Sequence, residues 1–122
     1  MLFCRKLTTF DTAVLCLSGM RAVRTYEITR EGDVALFVCR ETGDRAERPL
    51  AEVLAVFNRC GVLRWDGFSG RHPRGLLDGT MFCVTLTAEG KEIVTATGSQ
   101  NFPRRFHDLR DYIETTLRPT AD

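Results

Sequence analysis

The chain has no excess of charge of either sign: 17 Lys+Arg stand against 16 Asp+Glu, a formal net charge of +1. No global field draws it to nucleic acid or to an anionic membrane, so neither is an expected partner. Long apolar runs are missing too, and the stretch over 13–17 falls far short of the roughly 20 residues of a membrane-spanning helix. A secretory leader fits poorly, because Asp11 interrupts the segment after Arg5 and Lys6 where a continuous apolar run is required. Leu15 sits where a lipoprotein cleavage site ahead of Cys16 takes a small residue.

The five cysteines, Cys4, Cys16, Cys39, Cys60 and Cys83, contain no CxxC spacing, which excludes a locally encoded zinc knuckle or thioredoxin-type pair. In Val-Cys, Phe-Cys and Leu-Cys contexts they read as small, reduced hydrophobes of a cytoplasmic protein. The two histidines, His72 and His107, lack metal-ligand spacing. A phosphate-binding glycine loop ending in Lys-Ser/Thr is absent, as is a dinucleotide fingerprint. The expected cofactor is none.

What is present is ordinary globular material. The 122 residues are 43% hydrophobic and 27% charged, which suits a single α+β domain over 1–122. Two hairpins stand out, over 26–38 and 82–96, each turning through Thr-x-Glu-Gly and a charged residue. A three-residue loop with a G1 bulge sets Thr29 opposite Asp33 and Ile28 opposite Val34, with Tyr26 facing Leu36 and Arg24 facing Val38. In the second hairpin it sets Thr87 opposite Lys91, Val84 opposite Val94 and Phe82 opposite Ala96. A two-residue turn through Glu89-Gly90 would pair Val84 with Thr95 and mismatch the apolar faces.

Each hairpin leads into a proline-opened helix. Pro49 precedes Leu50, Val53, Leu54 and Phe57 at helical spacing, with Gly61 as the cap. Pro103 precedes Phe106, Leu109, Ile113 and Leu117, and Pro119 stops the segment. The pattern is two ββα units, 25–48 plus 49–60 and 80–98 plus 103–117, with an extra strand over 12–17. Strands apolar on one side need a cover on that side alone. The expected architecture is therefore two-layer: an antiparallel sheet of about five strands with two helices on one face. The other face of the second hairpin carries Cys83, Thr85, Thr87, Ile93, Thr95 and Thr97, and is either solvated or the interface of a homodimer.

Ser18-Gly19, Tyr26, Trp65-Asp66-Gly67-Phe68, Asp78-Gly79-Thr80, Gly98 and Asn101-Phe102-Pro103 form a series that resembles an uncharacterised family of small bacterial α+β domains. The resemblance covers most of the chain after residue 18. It implies the fold and a bacterial origin, and brings no activity, cofactor or partner.

Arginine clustering is the feature with chemical content. Arg59, Arg64, Arg71 and Arg74 fall within a stretch that holds one acid, Asp66. Arg104 and Arg105 are expected in the first turn of the last helix, where the macrodipole disfavours cations by a few tenths of a kcal/mol, roughly. An acidic group held by Arg64, Arg71, His72, Arg74, Arg104 and Arg105 offsets that cost. Pairing with Asp66, Asp78 or Asp108, or plain solvation, explains the same arginines without a ligand. Trp65 and Phe68 serve either as partner anchors or as core, and the lone tryptophan suits the core. The segment 64–79, rich in glycine, reads as a loop pinned by its aromatics to the domain edge.

Ser69, His72 and Asp78 share this loop as a conceivable nucleophile, base and orienter, but no Gly-x-Ser-x-Gly elbow is present. The function expected is a non-catalytic binding or interaction module, its partner an unknown protein or a small anionic ligand. A homodimeric module and a small hydrolase are the alternatives.

Overall fold

A computed structural model describes residues 6–19, 22–70 and 80–118. In chain order the elements are β1 (Thr12–Ser18), β2 (Val23–Glu31), β3 (Val34–Cys39), β4 (Arg45–Pro49), α1 (Leu50–Cys60), β5 (Ser69–Gly70), β6 (Met81–Ala88), β7 (Lys91–Ser99) and α2 (Phe106–Leu117), with a short 3-10 helix at Val62–Trp65. The strands form one open sheet in the order β4-β3-β2-β1-β6-β7-β5. Every neighbouring pair is antiparallel except β5 with β7.

Among the described residues seven strands stand where about five were expected. The two additions give weak signals in sequence. β4 reads Arg-Ala-Glu-Arg-Pro, with no apolar alternation, and its charges and proline suit an edge that must not recruit another strand. β5 is two residues long.

The two hairpins close differently from the expected three-residue loops. In the first, Glu31 pairs with Val34 across a two-residue turn, Gly32-Asp33, with Gly32 at φ +65°. Glycine leading such a turn matches the twist of the flanking strands. Ile28 therefore faces Phe37 and not Val34, and Tyr26 faces Cys39 and not Leu36. Ala35, Phe37 and Cys39 turn into the core, while Val34 is 37% exposed. Val-Ala-Leu-Phe-Val-Cys is apolar on both faces, so alternation did not choose between them. The aromatic ring decided it.

The second hairpin uses the two-residue turn, Glu89-Gly90, at φ +53° and +77°. Ala88 pairs with Lys91 and Thr87 with Glu92; the register then shifts, Leu86 pairing with Val94 and Val84 with Ala96. Ile93 is the extra residue of this bulge. The bulge removes the mismatch that a tight turn would otherwise impose. Phe82, Val84, Leu86, Val94 and Ala96 are buried together as expected.

α1 starts after Pro49 and ends at Gly61, whose N–H donates to the Phe57 and Asn58 carbonyls at 3.0 and 3.1 Å. It buries Val53, Val56, Phe57 and Cys60. α2 buries the expected stripe Phe106, Leu109, Ile113 and Leu117. It begins three residues after Pro103, so Arg104 and Arg105 precede the helix and do not lie in its first turn.

Buried side chains of the strands and of both helices form one cluster. Phe82 packs on Phe106 at a ring-centroid distance of 4.7 Å, Phe37 on Tyr112 at 5.9 Å, and Phe10 on Phe57 at 5.3 Å. Each fully buried aromatic or aliphatic side chain contributes about 1.5–3 kcal/mol. Leu7 and Phe10, ahead of β1, belong to this core. Among the described residues no helix is long and apolar enough to cross a membrane.

Candidate functional site

The segment after α1 is fixed to the sheet one residue at a time. Trp65 is 4% exposed, packs on Phe106, and donates its indole N–H to the Arg104 carbonyl at 3.2 Å. Asp66 accepts the Thr95 N–H at 3.0 Å, and the Gly67 N–H returns to the Thr95 carbonyl at 2.9 Å. Phe68 packs on Phe82 at 6.0 Å, and its carbonyl accepts the Thr97 N–H. The Trp-Asp-Gly-Phe run is thus a docking clip that sets β5 beside β7. Trp65 takes the core role and not that of an exposed anchor.

Gly70 and Gly98, paired across β5 and β7, lie under the Asn101 carbonyl. A Cβ on either would stand 2.4 Å from that oxygen, and one on Gly98 also 2.4 Å from the Phe82 ring. Nothing larger than glycine fits. The Gly-x-x-Asn-x-Pro step is accordingly a packing device that aims the chain toward α2.

These fixings leave a cleft of about 710 Å³ between the end of α1, the 3-10 helix and the approach to α2. Lys6, Arg59, Arg64, Arg104 and Arg105 line it, over an apolar floor that includes Leu63, Trp65 and Phe68. No acidic side chain lines it among the described residues. Three of the expected arginines, Arg64, Arg104 and Arg105, therefore meet, with Trp65 and Phe68 beneath them. Arg71, His72 and Arg74 lie outside the described residues, as does Asp78.

Lys6 joins the cleft through a contact that local sequence does not announce. The Asn58 side chain accepts the Leu7 N–H at 2.7 Å and donates to the Leu7 carbonyl at 3.0 Å. This two-point clamp holds the segment before β1 against the last turn of α1.

Charge balance separates the five cations. Arg105 donates to the Arg59 carbonyl at 3.1 Å, covering an orphan acceptor at the negative end of α1. Its position has a structural cause. Arg40, Arg48 and Arg110 elsewhere pair with Glu27, Glu52, and Asp111 and Glu114. Lys6, Arg59, Arg64 and Arg104 form no such ion pair among the described residues. Asp66, the acid nearest in sequence, is committed to Thr95. Asp108 contributes at longer range. Burial pushes the Cys60 thiol up, with the Asp108 charge adding to it, while Arg59 and Arg105 act in the opposite direction.

Ser69 is exposed on β5, and His72 and Asp78 fall outside the described residues. His107 is exposed, its ring against Phe102 at 5.1 Å. Among the described residues no group of three or more His, Cys, Asp or Glu is placed to hold a metal ion.

Comparison with protein-family models, with curated proteins and with solved structures gave no match to this chain. The cleft's chemistry is argued from its own residues.

Proposed function

We propose that the protein is a non-catalytic binding module that takes up an acidic group in the cationic cleft. One observation carries this reading: four cations without an ion-pair partner among the described residues converge on a cleft of about 710 Å³. That volume falls within the range of small-molecule sites, and also accepts an acidic side chain of a protein partner. Guanidinium groups suit carboxylate and phosphate, and a partly apolar floor strengthens each charge-assisted bond by excluding water.

The four described cysteines are free, as a reducing cell interior keeps them, and we place the protein in the cytoplasm on that ground.

The test is titration of the folded protein with inorganic pyrophosphate and with a short oligo-aspartate peptide, read by amide chemical shifts. Shifts are expected around Arg59, Arg64 and Arg104 with at least one of the two probes. Each of R59A, R64A and R104A should weaken binding about tenfold, the worth of one charge-assisted hydrogen bond. Binding unchanged in the triple variant sinks the proposal, and so does silence toward both probes.

A homodimer through the uncovered sheet face is the second reading. Val23 and Met81, 44% and 57% exposed, flank Ser18 in one cross-strand row of that face. Light scattering decides it, because a strict monomer at high concentration removes it.

A further inference from the structure

The uncovered face of the sheet holds a second site, independent of the cationic cleft. β1 and β6 are the central strands, and their register sets Cys16 directly opposite Cys83. Leu15 and Leu17 point into the core, so Cys16 between them points outward, as does Cys83 between the buried Phe82 and Val84. The two thiols are therefore side by side on one face, lining a groove of about 440 Å³ with Met81, Gly70 and Gly98. Cys83 is exposed and Cys16 half-buried. Cys39 and Cys60 are enclosed in the core.

Directly opposed residues of an antiparallel pair have Cα atoms about 4.5–5.5 Å apart, inside the roughly 4.4–6.8 Å window of a disulfide. The Thr25 hydroxyl, 2.9 Å from Glu41 Oε2, is also a donor to Cys16 Sγ at 3.8 Å. Cys16 thus rests against Thr25 on β2 and turns about its side-chain torsion to meet Cys83 on β6, which faces solvent.

We propose that Cys16 and Cys83 form a reversible oxidation site that reacts with hydroperoxides. The Cys83 thiolate attacks the peroxide oxygen, breaking the O–O bond to give a sulfenic acid and releasing water or an alcohol. The Cys16 thiolate then attacks the Cys83 sulfur, forms the S–S bond, and expels the hydroxyl group as water. Two thiols lose two electrons and two protons in all, and one hydroperoxide is reduced. A dithiol reductant reverses the step by exchange. The product ties β1 to β6 without displacing any core side chain.

The test uses dilute full-length protein, hydrogen peroxide, a maleimide quench and intact-mass measurement. Wild type should lose two hydrogens and two labelled thiols, give a Cys16–Cys83 cross-linked peptide on mapping, and recover fully in dithiothreitol. C16S should stop at a Cys83 sulfenic acid trapped by dimedone, and C83S should give neither product. The peptide map of wild type stands even if a variant folds poorly. A disulfide that maps elsewhere, covalent dimers as the main product, or two thiols still lost in C16S/C83S overturns the proposal. So does the absence of any oxidation in wild type.

Discussion

Arg105 reaches from the approach to α2 to the Arg59 carbonyl at 3.1 Å, so one cation of the cleft also closes the end of α1. Its backbone is left-handed, at φ +67°. Two opposing effects therefore meet at one residue. The hydrogen bond contributes about 1 kcal/mol, and the left-handed backbone costs about 1–2 kcal/mol for any residue with a Cβ. R105A should lose the bond and keep the strain, a net loss of about 1 kcal/mol. R105G should lose the bond and release the strain, and come out more stable than R105A. Urea midpoints of the two variants decide the order.

Glu89 offers a cleaner gain. It sits at φ +53° as the first central residue of the β6–β7 turn, a position that asparagine tolerates better. E89N puts the favoured Asn-Gly pair in this turn and should raise stability by about 0.5–1 kcal/mol, read as a higher thermal midpoint.

Gly98 should be intolerant. In G98A the new methyl group meets the Asn101 carbonyl and the Phe82 ring at 2.4 Å each, so one of them must move. Overpacking of this kind costs about 1–3 kcal/mol. Because Phe82 also packs on Phe102 and Phe106, the loss should lie at the upper end, measured by denaturant unfolding.

Alkaline pH should weaken the fold through two phenols. Burial, and then hydrogen bonds to Glu114 and Glu52 at 2.8 and 2.7 Å, raise Tyr26 and Tyr112 above their ordinary value. A group raised on folding adds its full stability below the unfolded pKa, about 10 here, and loses it as pH climbs toward the folded value. Unfolding free energy should fall as pH passes about 10, and Y26F/Y112F should fall less over the same interval.

The parts of the fold that local chemistry determines were readable from sequence. The α2 stripe, the α1 cap at Gly61 and the inward face of β6 and β7 follow from spacing and turn residues alone. Both hairpin registers differ from the expected ones for one reason: the Thr-x-Glu-Gly sequence is compatible with loops of two or three residues, and the choice rests on tertiary packing. In β3 that packing is the burial of Phe37; in β7 it is the bulge at Ile93. Arg64, Arg104 and Arg105 were found as a cluster because they are charged and close to helix ends. Lys6 was missed because the Asn58 clamp spans 51 positions. Cys16 facing Cys83 was missed because only the strand order brings them together.

That strand order also bears on how the chain reaches its native state. The first strand lies between two hairpins that can each close by themselves within microseconds. Its pairing with β6 joins Thr12 to Thr87 and Ser18 to Met81, contacts of large sequence separation. Such closures are slow, since chain entropy is lost before any contact rewards it. The rate-limiting event is then the docking of the β6–β7 hairpin onto β1, which already pairs locally with β2, and mutations at Val14 or Leu15 should retard refolding more than equal losses in α1.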